Sequence, residues 1–205
     1  MNARDFNREM TERLNGSAQK PRLLLHSCCA PCSSHCLSVL TPLAQVTVFY
    51  YNPNIYPREE YEKRKSEQIR LIKEAYPQVG MLDAEYDYGE FLRAARGLEK
   101  EREGGARCTA CFELRLSATA KAAREGGFDM FATTLTVSPH KNAPLINMIG
   151  AQAGAREGVE FLPSDFKKKD GYLHSIQLSK QYSLYRQNYC GCGFSSAERE
   201  PRGHA

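Results

Sequence analysis

Arg22-Leu23-Leu24-Leu25-His26-Ser27-Cys28-Cys29-Ala30-Pro31-Cys32 is the stretch that decides the fold. Arg22 to His26 reads as a short buried strand, and the cysteines form the turn that ends it. Pro31 suits the first turn of a helix, where its missing N–H is an orphan in any case. Ser33 to Leu40 continues that helix, and Pro42 marks its end. The turn between strand and helix holds two adjacent cysteines. Buried structural cysteines have no reason to come as neighbours, whereas a metal or redox centre needs several sulfurs converging.

Outward from this unit, strands and helices alternate. Gln45 to Tyr51 is a second strand, rich in β-branched and aromatic residues. Asn52 to Pro57 is a turn-rich loop, and Arg58 to Ala75 has charged helical periodicity. Met81 to Tyr86 is expected to be a third strand, Phe91 to Leu98 a short helix, and Cys108 to Glu125 a longer one ending at Gly126-Gly127. Phe131 to Thr136 reads as a strand, Ala143 to Ala153 as a helix, Val159 to Leu162 as a last short strand, and Ser175 to Tyr189 as a closing helix. Such alternation implies an α/β fold with parallel pairing, the crossover helices covering the sheet. Ligands then collect beyond the carboxyl ends of the strands. The cysteine turn, the Asn52 loop and the His140 loop should therefore line one rim. Residues 1–20 read as a flexible polar leader with a short helix over Phe6 to Leu14, residues 21–195 as one catalytic domain, and residues 196–205 as a disordered tail.

At 205 residues and 41% hydrophobic, the chain can bury one sizeable core. No run approaches the ~18 apolar residues of a membrane span, so no membrane contact is expected. Met1 to Lys20 shows no apolar signal region, which points to the cytoplasm and reduced thiols. Eight cysteines in that compartment indicate metal binding or redox catalysis rather than a disulfide framework. A formal charge of +4 permits an anionic partner such as RNA without requiring one. There is no GxGxxG, no Walker loop and no Ser-Gly-Gly-x-Asp-Ser loop after the first strand, which argues against nucleotide-driven chemistry.

Seven of the eight cysteines fall in three groups, with Cys36 one helical turn beyond the first. Cys108 and Cys111, spaced i and i+3 at a helix start, present both thiols on one face. With Cys28 and Cys29 they make four thiolates, the complement of an iron–sulfur cluster or of a structural zinc site. Spacing alone leaves both open. Cys36 is most simply a packed small hydrophobe. Cys32, in the first turn of its helix, could ligate a second metal or act as a thiol. Cys190-Gly191-Cys192 could close a small strained disulfide, the labile kind suited to electron relay, or could be a structural clamp. His26, just before the thiols, is either a contact to the centre or a satisfied core histidine. His140 and Lys141 read equally as substrate or phosphate contacts and as ordinary loop polarity. Lys167-Lys168-Lys169 is either a solvated face or a grip on RNA phosphates. Tyr50, Tyr51, Tyr56 and Tyr61 are stacking surfaces for a base or part of the core.

Five ordered motifs then carry a family resemblance. They are Leu25 to Ser33; Tyr51-Asn52-Pro53-Asn54-Ile55 with Arg58 to Tyr61; Arg107 to Phe112 with Leu114-Arg115-Leu116; Thr133-Thr134-Leu135 with Ser138 to Lys141; and Leu178-Ser179-Lys180 with Tyr185 to Cys192. Together, over roughly residues 22–195, they resemble the cobalamin-independent epoxyqueuosine reductases. The resemblance implies reduction of epoxyqueuosine to queuosine at the wobble position of tRNA, with an electron donor that it leaves unidentified. It implies a 4Fe-4S cluster on Cys28, Cys29, Cys108 and Cys111, and a redox-active disulfide pair at Cys190 and Cys192. It leaves room for an additional iron, with Cys32 standing where its ligand could lie. His26, Tyr51, Asn52, His140, Lys141 and Arg186 are the substrate-binding candidates. The implied architecture is a three-layer parallel-sheet sandwich related to the adenine-nucleotide α-hydrolase type, with a helical C-terminal segment.

Overall fold

Leu23, Leu24 and Leu25 alternate between the two faces of a sheet, and each face is covered. In the computed structural model, which describes residues 4–16, 19–187 and 189–197, five strands form one all-parallel sheet in the order β3-β2-β1-β4-β5. The strands are β1 Arg22–His26, β2 Gln45–Tyr50, β3 Gly80–Asp83, β4 Met130–Thr133 and β5 Glu160–Phe161. The helices are α1 Phe6–Asn15, α2 Ala30–Leu40, α3 Arg58–Ala75, α4 Tyr88–Ala94, α5 Ala106–Glu125, α6 Ala143–Glu157, α7 Gly171–Gln181 and α8 Gly193–Ala197. Leu23 and Leu25 pack with α1, α2 and α3, while Leu24 packs with α5 and α6. This is the expected α/β sandwich.

Several boundaries differ from the sequence reading. The strand expected to run to Thr136 stops at Thr133, where the chain tightens into a 3-10 turn over Thr134–Val137. The Thr133 side chain accepts the Leu135 N–H and so ends the ladder. The closing helix begins and ends earlier than expected. After Gln181 the Leu184 N–H turns back to Ser179 O, and Ser183 takes φ 48°, so residues 182–187 run as a non-helical strap. Within the leader, the expected short helix is present as α1. Asp5 caps α1 by accepting the Asn7 and Arg8 N–H groups, and Phe6, Met10 and Leu14 are buried, the last two in the main core. The expected tail begins inside α8, and residues 198–205 lie outside the described residues.

Helices α2 and α7 approach closely because Gly171 lacks a side chain. A Cβ there would sit 1.9 Å from Phe166 O and 2.4 Å from His35 Nε2. At this contact His35 and His174 meet Nδ1 to Nδ1 at 3.0 Å. Burial first, and the His174 ring second, hold His35 down to about 4, against ~6.5 for an exposed histidine. Between those values the unfolded chain binds the extra proton, so stability falls as pH is lowered through that window. Denaturant melts at neutral and mildly acidic pH should show the midpoint dropping. His35→Gln should flatten that drop by on the order of 1 kcal/mol, less than full linkage because solvent screens this partly open site.

Candidate active site

The sheet order reverses between β1 and β4, and the crevice beyond their carboxyl ends is where ligands bind in such sheets. The cysteine turn sits there. The Cys28 N–H donates to Thr134 Oγ1 at 3.3 Å, which ties the tip of β1 to the turn after β4. The sulfurs of Cys28, Cys29 and Cys32 lie within 4.8 Å of one another, a grouping able to hold a metal ion. Cys28 and Cys29 are 3.8 Å apart, Sγ to Sγ. Hydrogen bonds from the Cys29 and Cys32 thiols hold Cys28 well below the ordinary thiol range; burial opposes them, and Lys141 and Arg115 add to them. The hydrogen bond to Cys28 pushes Cys29 up to about 11. The triad thus gives up its first proton at Cys28.

The thiols face a cavity of about 350 Å³, also lined by Asn52, Arg64, Arg115, Lys141, Arg186 and Cys190. Four of those six side chains are Lys or Arg, and among the described residues the cavity's only lining carboxylate is Glu103. A smaller, more apolar cavity of about 100 Å³ adjoins it. There Cys108, Cys111 and Cys192 meet Phe91, Phe112 and Leu145. His140, Lys141 and Cys190 line both cavities. Cys108 and Cys111 sit in the first two turns of α5 and stand outside the tight triad. Burial pushes Cys111 up to about 12 and raises Cys108 as well.

Arg115 spans the two groups of thiols. It is 2% exposed and lies one turn after Cys111 on the same face of α5. Its Nη2 donates to Asn52 Oδ1 at 2.6 Å, its Nε to His26 Nε2 at 3.3 Å, and its Nη1 faces Cys111 Sγ at 4.0 Å. Burial works against this charge, and the sulfurs of Cys111, Cys28 and Cys190 restore it. His26 is wholly buried behind the cavity wall, between Thr133, Tyr51 O and Arg115. Burial first, and Arg115 second, hold it down to about 3, so its imidazole is neutral. It orients Arg115 and does not line the cavity. Tyr51 is likewise inside: it stacks on Phe49, and its hydroxyl donates to Glu90 at 2.5 Å. Tyr50 and Tyr61 belong to the core, whereas Tyr56 is exposed. Asn52, His140, Lys141 and Arg186 do line the cavity. Cys36 is packed in the core, and Lys167 and Lys168 pair with Asp165.

All eight cysteines are free thiols, so the disulfide expected at Cys190 and Cys192 is not formed. The segment is nevertheless fixed. The Tyr56 N–H donates to Gly191 O at 2.9 Å, and Arg64 Nη1 to Cys190 O at 3.1 Å. Gly191 has φ 95°, and a Cβ on it would lie 2.7 Å from Arg64 Nη2. Only glycine lets the guanidinium approach this closely. Arg64 itself is held by Glu60 at 2.6 Å. Arg64 was not singled out from the sequence, although Glu60 four residues earlier was a readable helical partner.

A parallel α/β sheet that gathers thiols and buried cations at its switch point has a site able to bind metal or carry thiol chemistry. The chain belongs to the epoxyqueuosine reductase QueH family, whose profile matches residues 23–198. It is 42% identical over 198 residues to epoxyqueuosine reductase QueH of Staphylococcus epidermidis, covering 94% of this chain and 83% of that one. It is 44% identical over 181 residues to that of Streptococcus pyogenes, covering 86% and 71%. With that of Thermotoga maritima it shares 37% over 183 residues, covering 88% and 93%. Among the described residues no helix is long and apolar enough to cross a membrane.

Proposed function

We propose that the chain reduces the epoxide of epoxyqueuosine at the tRNA wobble position, giving queuosine, and that Cys28, Cys29, Cys108 and Cys111 hold a 4Fe-4S cluster while it does so. The observation that carries this reading is the charge balance of the site. Arg115 and Lys141 reach the cavity the thiols line, where Glu103 is the one carboxylate among the described lining residues and Arg64 is already paired with Glu60, and an uncompensated buried cation costs several kcal/mol. A cluster ligated by four thiolates is anionic, so the donor set and its cationic surround fit such a group. Cys32, within 4.8 Å of Cys28 and Cys29, is free to hold an additional iron. When bound, the cluster supplies electrons at low potential, and a neighbouring iron supplies Lewis acidity.

The remaining chemistry belongs to the chain. Converting an epoxide to an alkene consumes two electrons and two protons and releases water. Cys190 and Cys192 supply both when they pass from dithiol to disulfide, and an external donor then restores the thiols. Cys190 faces the substrate cavity, while Cys192 is buried on the apolar side beside Ser195. Cys190 is therefore the substrate-facing thiol of the pair. Lys141, half-buried at the junction of the cavities, is the cation placed to meet a developing alkoxide. Arg186, exposed at the cavity edge and lying over the Tyr172 ring, is placed for tRNA phosphate.

The test is anaerobic purification, iron and sulfide analysis, and mass measurement of nucleosides from epoxide-bearing tRNA given a reductant. Brown protein with iron and inorganic sulfide that converts the epoxide is the expected result. Colourless protein carrying zinc, or iron-loaded protein that leaves the epoxide intact, would overturn the reading.

A further inference from the structure

Three buried polar atoms on residues lining the larger cavity have no hydrogen-bond partner among the described residues: Asn54 Oδ1, Arg64 Nη2 and Gln187 Oε1. Leaving one such atom unpaired costs ~1–3 kcal/mol, so three around one cavity call for a ligand that completes them. Two are acceptors and one is a cationic donor. The missing ligand must bring two N–H donors and one acceptor. Asn54 is 1% exposed and Arg64 is 3% exposed, so neither side chain can swing away to water. The other nitrogens of Arg64 are committed to Glu60 and to Cys190 O. Its plane is further fixed by the Tyr189 ring, 5.1 Å from its centre.

We propose that Asn54, Arg64 and Gln187 form a base-reading subsite for a guanine-type edge. That edge carries one carbonyl acceptor and two N–H donor groups, the complement of the three orphaned atoms. Adenine offers the opposite order, and hypoxanthine lacks one of the two donors. The Tyr189 ring supplies an aromatic neighbour of the kind that holds an unstacked base. Arg64 Nη1 holds Cys190 O, so recognition of the base and placement of the redox thiol share one side chain. The proposal rests on the reading above that the substrate is epoxyqueuosine of tRNA, whose base is a 7-deazaguanine and keeps the guanine pairing edge. It adds the three residues that select that base.

The test uses the full chain, purified anaerobically, and three anticodon stem-loop RNAs that differ only in guanosine, inosine or adenosine at the wobble position. Binding is followed by fluorescence anisotropy. Guanosine RNA should bind about tenfold tighter than inosine RNA and roughly 100-fold tighter than adenosine RNA, one lost hydrogen bond being worth about a factor of ten. Gln187→Leu should weaken guanosine RNA about tenfold, and Gln187→Glu, which keeps an acceptor, should restore most of it. Gln187 is only partly buried, so these variants should fold as the parent does. Equal binding of guanosine and adenosine RNA, or unchanged binding by Gln187→Leu, would overturn the subsite. No epoxide is present and no reduction is read. A guanosine preference without epoxide reduction would therefore keep the subsite and discard the reductase reading.

Discussion

Cys28→Ser is expected to lower epoxide reduction by at least ~10³-fold, because the lost interaction is worth several kcal/mol of transition-state stabilisation. Cys28 is the thiol whose pKa its surroundings already lower, through Cys29 and Cys32 first and then Lys141 and Arg115. A serine hydroxyl stays protonated there and is a harder ligand for iron than sulfur. The fold should survive. Serine is close in size to cysteine, and the bond that ties this turn to Thr134 comes from the backbone N–H rather than the side chain. The measurements are iron and sulfide per chain, visible absorbance, circular dichroism, and nucleoside mass after incubation with epoxide-bearing tRNA. Cys36→Ser is the contrasting control. Cys36 is wholly buried in the core, so a hydroxyl there should cost ~1–3 kcal/mol of stability with iron content unchanged. A Cys28→Ser protein that keeps its iron, its colour and its turnover would refute the ligand assignment.

The path from sequence to site was legible where chemistry and chain geometry coincide. The strand–cysteine turn–helix unit around Cys28 was readable because strand length, Pro31 and the adjacent cysteines all point the same way. The rim shared by the Cys28, Asn52 and His140 segments followed from strand–helix alternation, since parallel strands put their carboxyl ends together. What escaped was set by long-range packing. Tyr51 has the composition of a base-stacking residue, yet it follows the end of β2 inward, stacking on Phe49 and bonding Glu90 through its hydroxyl. His26 belongs behind the wall as the last residue of a buried strand. The strap over residues 182–187 replaced a helix because Tyr185 N–H and the Arg70 guanidinium find partners across α3 and the strap, at Glu67 and at Tyr182 O. Arg115 stood in a quoted motif, but its role needed three dimensions. Sequence spacing placed it above Cys111, while Asn52 and His26 came to it from two other elements.

Arg115→Met is expected to cost about 100-fold in activity while changing the stability of metal-free protein by little. The two effects separate because the arginine plays opposite parts in the two states. Among the described residues Arg115 bonds Asn52, His26 and Cys111 rather than a carboxylate, and its charge is restored against burial by Cys111, Cys28 and Cys190. In metal-free protein with mostly protonated thiols, removing a poorly compensated buried cation relieves a cost of several kcal/mol. That relief offsets the ~1–3 kcal/mol lost by leaving Asn52 Oδ1 without its donor. Once thiolates are bound to iron the balance reverses, because the guanidinium then neutralises anionic sulfur in a low-dielectric site. Iron should leave Arg115→Met faster under a chelator, and denaturant melts should show parent and variant converging when both are stripped of metal. Arg115→Lys should fall between them, keeping the charge but losing the fork that holds Asn52 and His26 together. If stripped Arg115→Met unfolds far more easily than the stripped parent while loaded protein keeps its iron equally well, then Arg115 is a packing residue, and the charge balance that supports the cluster loses its main term.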